Sequence, residues 1–506
     1  MNLSEFLDIA AGKYPNKTAV ICDNKQITYG SLKTRTDRLA ASLFRLSITK
    51  GTKAGILSFN CIEYIEIIFA LMKLGAVCVP LNHRLIAAEI KALVTHADVE
   101  MLFYGEEFEG KGLFEAAGIK HFITLGSSQK KDALSYESLF SEESSRSASV
   151  DIGEKDTSFI IYTAGTTGAP KGVVLTHGNQ IWNTQNYTAA YGMTAEDTEF
   201  APTALFHTST LGRVFTYVFN AMTFILCRKF SPEESLKIIQ QQKVTSITQA
   251  PTMYRMMMKA LKKGARDTHS VRRAVSGAAP MQPAEKSALQ ELFPNADLYD
   301  LYGLTEAAPG VTILKSKDFF RKPESVGKPL RSVEVVIKDE KDRVVPAGQV
   351  GEVVCRGPNV MQGYYKAPEA TAAVLKKGWL HTGDMGFMDD EGFLYLAGRK
   401  KDIIISGGVN IYPAEVEKVL MQHPAVDEAA IIGIPDETWG EKVTAAVVLK
   451  KNHPGLEKEI IDFCRDRLAG FKCPRGVFFT TELPRNAAQK VLKKKLQRDI
   501  LGGEST

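Results

Sequence analysis

Hydrophobic and polar positions follow two different rhythms along this chain. Over the first 230 or so residues, helical patterns alternate with short apolar runs such as 54–59 and 77–81, the cadence of strand–helix units that build a parallel sheet. The longest apolar stretch, 67–81, is interrupted by Lys73 and Gly75. It is too short and broken to cross a bilayer and predicts a buried helix followed by a strand. At Ser231 a Ser-x-x-Glu capping box ending in Glu234 opens an amphipathic helix, SPEESLKIIQQQKV, and the β-like run 245–249 follows it. From about Ser332 the rhythm changes. SVEVVIKD and GEVVCRG read as short alternating strands separated by Gly, Pro and charged turns, a small β-rich module. Beyond the basic, glycine-bearing stretch 398–408 comes a compact α+β pattern: a helix over 413–421, strands near 429–433 and 443–449, and a helix over 456–468. The class is α/β, with a domain boundary near Lys400 that separates residues 1–400 from 401–506 and with no internal repeat.

Composition narrows the options. The 506 residues, 44% of them apolar, exceed what one core usually serves and suffice for at least two. The 63 basic and 58 acidic side chains are dispersed, and a net charge of +5 is too mild for a nucleic-acid-binding protein. The start, MNLSEFLDIAAGKYP, lacks the basic segment, apolar run and cleavage site of a secretory signal, so a cytoplasmic protein without an integral membrane segment is expected. Seven cysteines without CxxC or Cys/His spacing predict reduced thiols and no structural zinc. The densest basic cluster, Lys490 with Lys493, Lys494 and Lys495, suits phosphate, although the last three equally suit a solvated helix face.

The segment SFIIYTAGTTGAPKG joins an apolar strand, 159–162, to a loop containing Thr163, Gly165, Thr166, Thr167, Gly168 and Lys171. Glycines let backbone N–H groups approach anionic oxygens, threonine hydroxyls add donors, and a lysine supplies the point charge, so phosphate is the ligand this composition suits. Taken alone, such a loop is also compatible with a surface turn, the less favoured reading, and it is not a Walker loop, because Lys171 follows Pro170 and precedes Gly172. Further on, LYDLYGLTEAAP sets an aromatic, Tyr302, beside a glycine, a hydroxyl and a carboxylate, Thr305 and Glu306, partners for a base, a phosphate and a metal.

Together, YTAGTTGAPKG, LYGLTE, WLHTGD and GRKKDIIISGG resemble the adenylate-forming superfamily of acyl-CoA synthetases, adenylation domains and luciferases, over essentially the whole chain. KKDIIISGGVNIYPAEVE and PDETWGEK look closest to its fatty acyl-CoA ligases. The resemblance implies a large N-terminal domain of doubly wound α/β subdomains with a barrel-like β module, and a small mobile α+β C-terminal lid. It implies an AMP-forming acid–thiol ligase that takes ATP, Mg2+, a carboxylic acid and coenzyme A, the acid being a medium- or long-chain fatty acid. Oligomeric state stays open, a homodimer included.

Carried over residue by residue, the resemblance implies that Tyr302 stacks on adenine, Thr305 donates to the α-phosphate, and Glu306 joins Thr166 in holding magnesium. Gly277 and Ala278, in SGAAP, would run past the adenine, with Asp300 accepting from its amino group. Asp384 of WLHTGD would accept both ribose hydroxyls, with Arg399 as its basic companion. His207 would orient the substrate carboxylate, with Phe206, Leu211 and Ala279 lining the acyl pocket. Lys401 would be the hinge, Ser406, Gly407 and Gly408 would border the coenzyme A tunnel, and Lys490 would be the catalytic lysine of the lid. One departure stands out: the family usually has Gly before that lysine, whereas Gln489 precedes it here, at a cost of about 1 kcal/mol if the position needs a positive φ. Two alternatives remain: an aryl-CoA ligase or carrier-protein-loading adenylation enzyme, and a decayed nucleotide-binding protein.

Overall fold

The structure is a computed structural model describing residues 1–506 apart from 112–117, 129–131, 141–149, 164–169, 263, 265, 280, 282, 451–455, 486–490 and 503–506. It is a mixed α/β protein with a large N-terminal and a small C-terminal domain. By contacts the chain forms two compact units: Met1–Val335 with Cys355–Leu380, and Val336–Val354 with His381–Thr506. Asp384 and Arg399, which precede Lys400, thus fall in the second unit.

The first unit holds two large sheets. One runs in the order Lys328–Pro329, Gly310–Leu314, Asp297–Gly303, Arg273–Gly277, Ser246–Gln249, Thr198–Ala201, Thr223–Leu226, Thr18–Cys22, Lys25–Thr28. Its interior pairings are parallel and its edges antiparallel. The other runs Gly363–Tyr364, Lys171–Thr176, Thr157–Thr163, Val77–Pro80, Lys53–Leu57, Val99–Tyr104, His121–Thr124, Leu134–Ser135, with its two antiparallel pairings at the Lys171–Thr176 end. Interior strands such as Val77–Pro80 are buried at every position, as helix-covered parallel strands require.

The interrupted apolar stretch is a buried helix, Ile62–Leu74, followed by the strand Val77–Pro80. Gly75, at φ +65°, ends the helix in the left-handed conformation that glycine tolerates. Ser231 caps the helix Pro232–Gln241 through its hydroxyl, which accepts from Glu234 N at 3.4 Å, while the Glu234 carboxylate turns to Lys237. The β rhythm expected from Ser332 appears as Glu334–Lys338 and Gly351–Arg356.

In the second unit, the hairpin Val426–Asp436 and Gly440–Leu449 is longer than the predicted strands and carries Ile404–Ser406, Val409–Ile411 and Gly476–Phe479. Alternate residues face opposite ways: Ile431, Val443, Ala445 and Val447 pack in one cluster, and Ala430, Ile432, Ala446 and Leu496 in another. None of the seven cysteines is in a disulfide, and five of them are buried. Among the described residues no helix is long and apolar enough to cross a membrane.

Candidate active site

The phosphate-loop residues Gly165, Thr166, Thr167 and Gly168 lie outside the described residues, but both of the loop's anchors are described. Thr163 ends one strand directly opposite Lys171, which starts the next, and its hydroxyl donates to the Lys171 carbonyl at 3.5 Å. The loop therefore leaves and returns at one point on the sheet. The Lys171 ammonium sits 5.0 Å from the ring centroid of Tyr364, whose hydroxyl donates to Glu306 Oε1 at 2.8 Å. One tyrosine ring thus joins the lysine and the carboxylate expected at the phosphates. Tyr364 was not singled out in the sequence, because nothing in QGYYK distinguishes it from a core aromatic.

The strand carrying Tyr302 ends at Gly303 and turns into a short 3-10 helix, Thr305–Ala307. A Cβ on Gly303 would lie 1.8 Å from the Pro309 carbonyl oxygen, so only glycine fits while Leu304 N donates to that oxygen at 3.0 Å. The turn is pinned from outside: Asn359 Nδ2 donates to the Ala307 and Gly310 carbonyls, both at 2.7 Å, and Met361 N to the Glu306 carbonyl at 2.8 Å. Thr208 Oγ1 donates to Thr305 Oγ1 at 3.1 Å, tying this turn to the start of the helix Thr208–Phe219.

His207 is that helix's N-cap residue. Burial, with Arg84 and then His83 adding to it, lowers its pKa to about 4, so the imidazole is neutral at pH 7. Around it runs a chain of rings: His207 to Phe206 at 4.2 Å, Phe206 to His83 at 5.0 Å, His83 to Phe59 at 4.6 Å, and Phe59 to Phe108 at 5.2 Å. Of the other residues expected at the acyl pocket, Leu211 is wholly buried in the helix and Ala279 is exposed.

Gly277 ends its strand opposite Leu301, and a Cβ there would come 3.3 Å from the Leu301 carbonyl oxygen. Ala278 follows at φ +68°. Asp300 neighbours Ser276 across the sheet and lies on the same strand face as Tyr302, both nearly buried. Its partner is Lys286, at 3.7 Å, and burial raises the carboxyl to about 6 against the pull of that lysine.

In the second unit, Asp384 and Arg399 are directly paired strand neighbours, and Arg399 Nε lies 2.7 Å from Asp384 Oδ1. Asp384 N also donates to the Thr382 hydroxyl at 3.0 Å, while that hydroxyl donates to the Val353 carbonyl. Glu352 holds the same strand, with His381 Nδ1 at 3.2 Å, Gly383 N at 3.3 Å and Lys400 Nζ at 3.0 Å. Lys401 sits in the short 3-10 helix Lys400–Asp402, and Gly407 and Gly408, at φ +58° and +78°, form the two-residue turn of a hairpin opening at Ser406. The Trp439 ring, with Arg475 4.2 Å above it, flanks Gly407 at 2.9 Å from where a Cβ would stand. Lys490, like Gln489, lies outside the described residues. Among the described residues no group of three or more His, Cys, Asp or Glu could hold a metal.

Residues 7–365 match the AMP-binding enzyme family and residues 415–490 the AMP-binding enzyme C-terminal domain. The chain is 35% identical over 486 residues to a feruloyl-CoA synthase of Amycolatopsis sp, covering 96% of each. It is similar to the Bacillus subtilis o-succinylbenzoate CoA synthetase in complex with its acyl-adenylate intermediate, at 33% identity and a TM-score of 0.87, covering 97% of both chains. That synthetase has also been solved with ATP and a magnesium ion. An anthranilate CoA ligase bound to anthranoyl-AMP superposes with a TM-score of 0.92 at 27% identity, covering 100% of this chain and 98% of that one.

Proposed function

The chain belongs to the AMP-binding enzyme family as an ATP-dependent, AMP-forming acid–thiol ligase using Mg2+ and coenzyme A, and within that class we propose that its acid is an aryl carboxylate. The observation carrying this reading is the chain of rings ending at His207. Edge and tilted contacts between rings at 4–6 Å suit a flat aromatic guest better than a flexible alkyl chain. The feruloyl, o-succinylbenzoate and anthranilate substrates named for its relatives support the aryl alternative over the fatty acid first expected, although a fatty acyl CoA synthetase is also among the similar structures.

In the proposed cycle the acid enters with its ring against Phe206, and the neutral His207 orients the carboxylate by hydrogen bonding without carrying charge. Tyr302 stacks on adenine, Asp300 accepts from its amino group, and Thr305 donates to the α-phosphate. Lys171 and Glu306, set by Tyr364, face the triphosphate, where Glu306 and Thr166 would hold the magnesium ion. Bound there, the ion would supply neutralisation of the phosphate charge. Asp384, oriented by Arg399, accepts the ribose hydroxyls, and Lys490 offsets the charge that grows as carboxylate oxygen attacks phosphorus. Rotation about Lys401 then presents Ser406, Gly407 and Gly408 to the thiol, whose attack on the mixed anhydride releases AMP.

The test is pyrophosphate release with ATP and Mg2+ across hydroxycinnamic, benzoic and fatty acids, each with and without coenzyme A. Aryl acids should win in kcat/KM by up to about tenfold, the worth of one well-made ring contact. A fatty acid of eight or more carbons turning over best would sink the proposal.

A further inference from the structure

The helix Pro283–Leu292 and the residue after it place Lys286, Leu289 and Phe293 at positions i, i+3 and i+7, the stripe that faces the sheet. Leu289 and Phe293 are fully buried, as such positions demand, and Lys286 is equally buried, with 1% of its surface exposed. A lysine on a core stripe breaks the local rule, and such breaks concentrate where function requires them. Its ammonium stands 3.7 Å from Asp300 Oδ2, at ion-pair rather than hydrogen-bond distance, and 4.4 Å from the ring centroid of Phe319.

The surroundings of Asp300 sharpen the point. Ser276 and Leu314 are its neighbours on the two flanking strands, and Lys286, itself packed on the Phe319 ring of the helix Ser316–Phe319, is the cation that acts on it. Burial raises this carboxyl, and the Lys286 ammonium pulls it back towards the ionised form. Asp300 is the middle residue of its strand and lies two residues before Tyr302 on the same face, the strand running on towards the C-terminal edge where ligands bind in open α/β sheets.

We infer that Lys286 is a positioning residue that holds Asp300 ionised and aimed at the purine, so that the pair selects a 6-amino over a 6-oxo nucleotide. This rests on reading Asp300 as the acceptor for the adenine amino group. An ionised carboxylate only accepts hydrogen bonds, so it welcomes the amino group of ATP and repels the carbonyl of inosine triphosphate. A protonated carboxyl could donate to that carbonyl, and selectivity would be lost.

The experiment compares Lys286→Met, Asp300→Asn and the double variant in pyrophosphate release with ATP and with inosine triphosphate. Lys286→Met should raise KM for ATP about tenfold, leave kcat within about twofold, and lower the ATP preference roughly tenfold, the scale of one charge-assisted hydrogen bond. Asp300→Asn should lose the same preference, and adding Lys286→Met to it should change nothing further, because the lysine acts only through Asp300. If Lys286→Met leaves KM and preference intact while Asp300→Asn shifts them, the pair is merely structural and the inference falls. If Asp300→Asn shifts neither, the adenine reading itself fails. Should Lys286→Met not fold, the double variant, free of any unpaired buried charge, decides: a further tenfold loss beyond Asp300→Asn would show Lys286 acting on its own.

Discussion

Gly303 shows how a single position can govern the site without touching anything that reacts. With the Pro309 carbonyl oxygen 1.8 Å from where its Cβ would stand, any side chain must push apart the turn that carries Thr305 and Glu306. Gly303→Ala should cost about 1–3 kcal/mol of stability through overpacking and lower adenylation kcat/KM by roughly two orders of magnitude, since misplacement by about 1 Å suffices for such a loss. Melting and pyrophosphate release on the same preparation check it, and unchanged kinetics would refute it. The sequence made the glycine visible but not its reason, because the clashing carbonyl belongs to a turn that only the fold brings back. The same holds for Tyr364: Lys171 and Glu306 could be read from their motifs, whereas the ring joining them comes from a distant edge strand. Residue types suited to phosphate and base were legible; their partners, fixed by tertiary contact, were not.

The helix His177–Tyr191 marks the limit of periodicity as a guide. Its buried face is polar, with His177, Gln180, Asn183, Thr184 and Tyr187 all sequestered, so no apolar stripe announces it. Its start is instead written in a reciprocal cap, Thr176 Oγ1 accepting from Asn179 N at 3.1 Å and Asn179 Oδ1 from Thr176 N at 2.9 Å. Burial lowers the His177 pKa to about 4, and its Nδ1 accepts from Leu3 N at 3.2 Å, a bond that protonation would break. The sign follows directly: the unfolded chain takes up a proton near pH 6.5 that the folded chain refuses until about 4, so stability falls as pH drops through that window. His207, shifted the same way, adds to the slope. The melting temperature should be level from pH 8 to 7 and decline below about 6.5, and His177→Gln should flatten part of the decline. A slope unaltered by that substitution would assign the proton uptake elsewhere. Strands such as Val77–Pro80, by contrast, declared themselves, since a parallel strand covered on both faces must be apolar throughout.

At the scale of the whole molecule, the α/β class followed from the strand–helix alternation of the first 230 or so residues, and the β-rich module from the change of rhythm near Ser332. The path of the chain did not, because which compact unit claims a strand depends on contacts far away in sequence. The separation of the chemistry into two half-reactions gives a test at this scale. Lys490→Ala should cut adenylation by roughly 100- to 1000-fold, the scale of one lost charge-stabilising donor, yet leave thiol transfer from supplied acyl-AMP within about threefold. Equal loss in both halves would contradict a lysine that serves only the first. The interleaved path also bears on synthesis at the ribosome. Val336–Val354 is made before Cys355–Leu380, a piece of the other unit, yet its partners Thr382 and Met388 come after that piece. Translation at about 5–20 residues per second therefore leaves one edge of Gly351–Arg356, the edge that pairs with Trp379–Met388, waiting for about one to several seconds, a window in which it is open to pairing with a neighbour's chain.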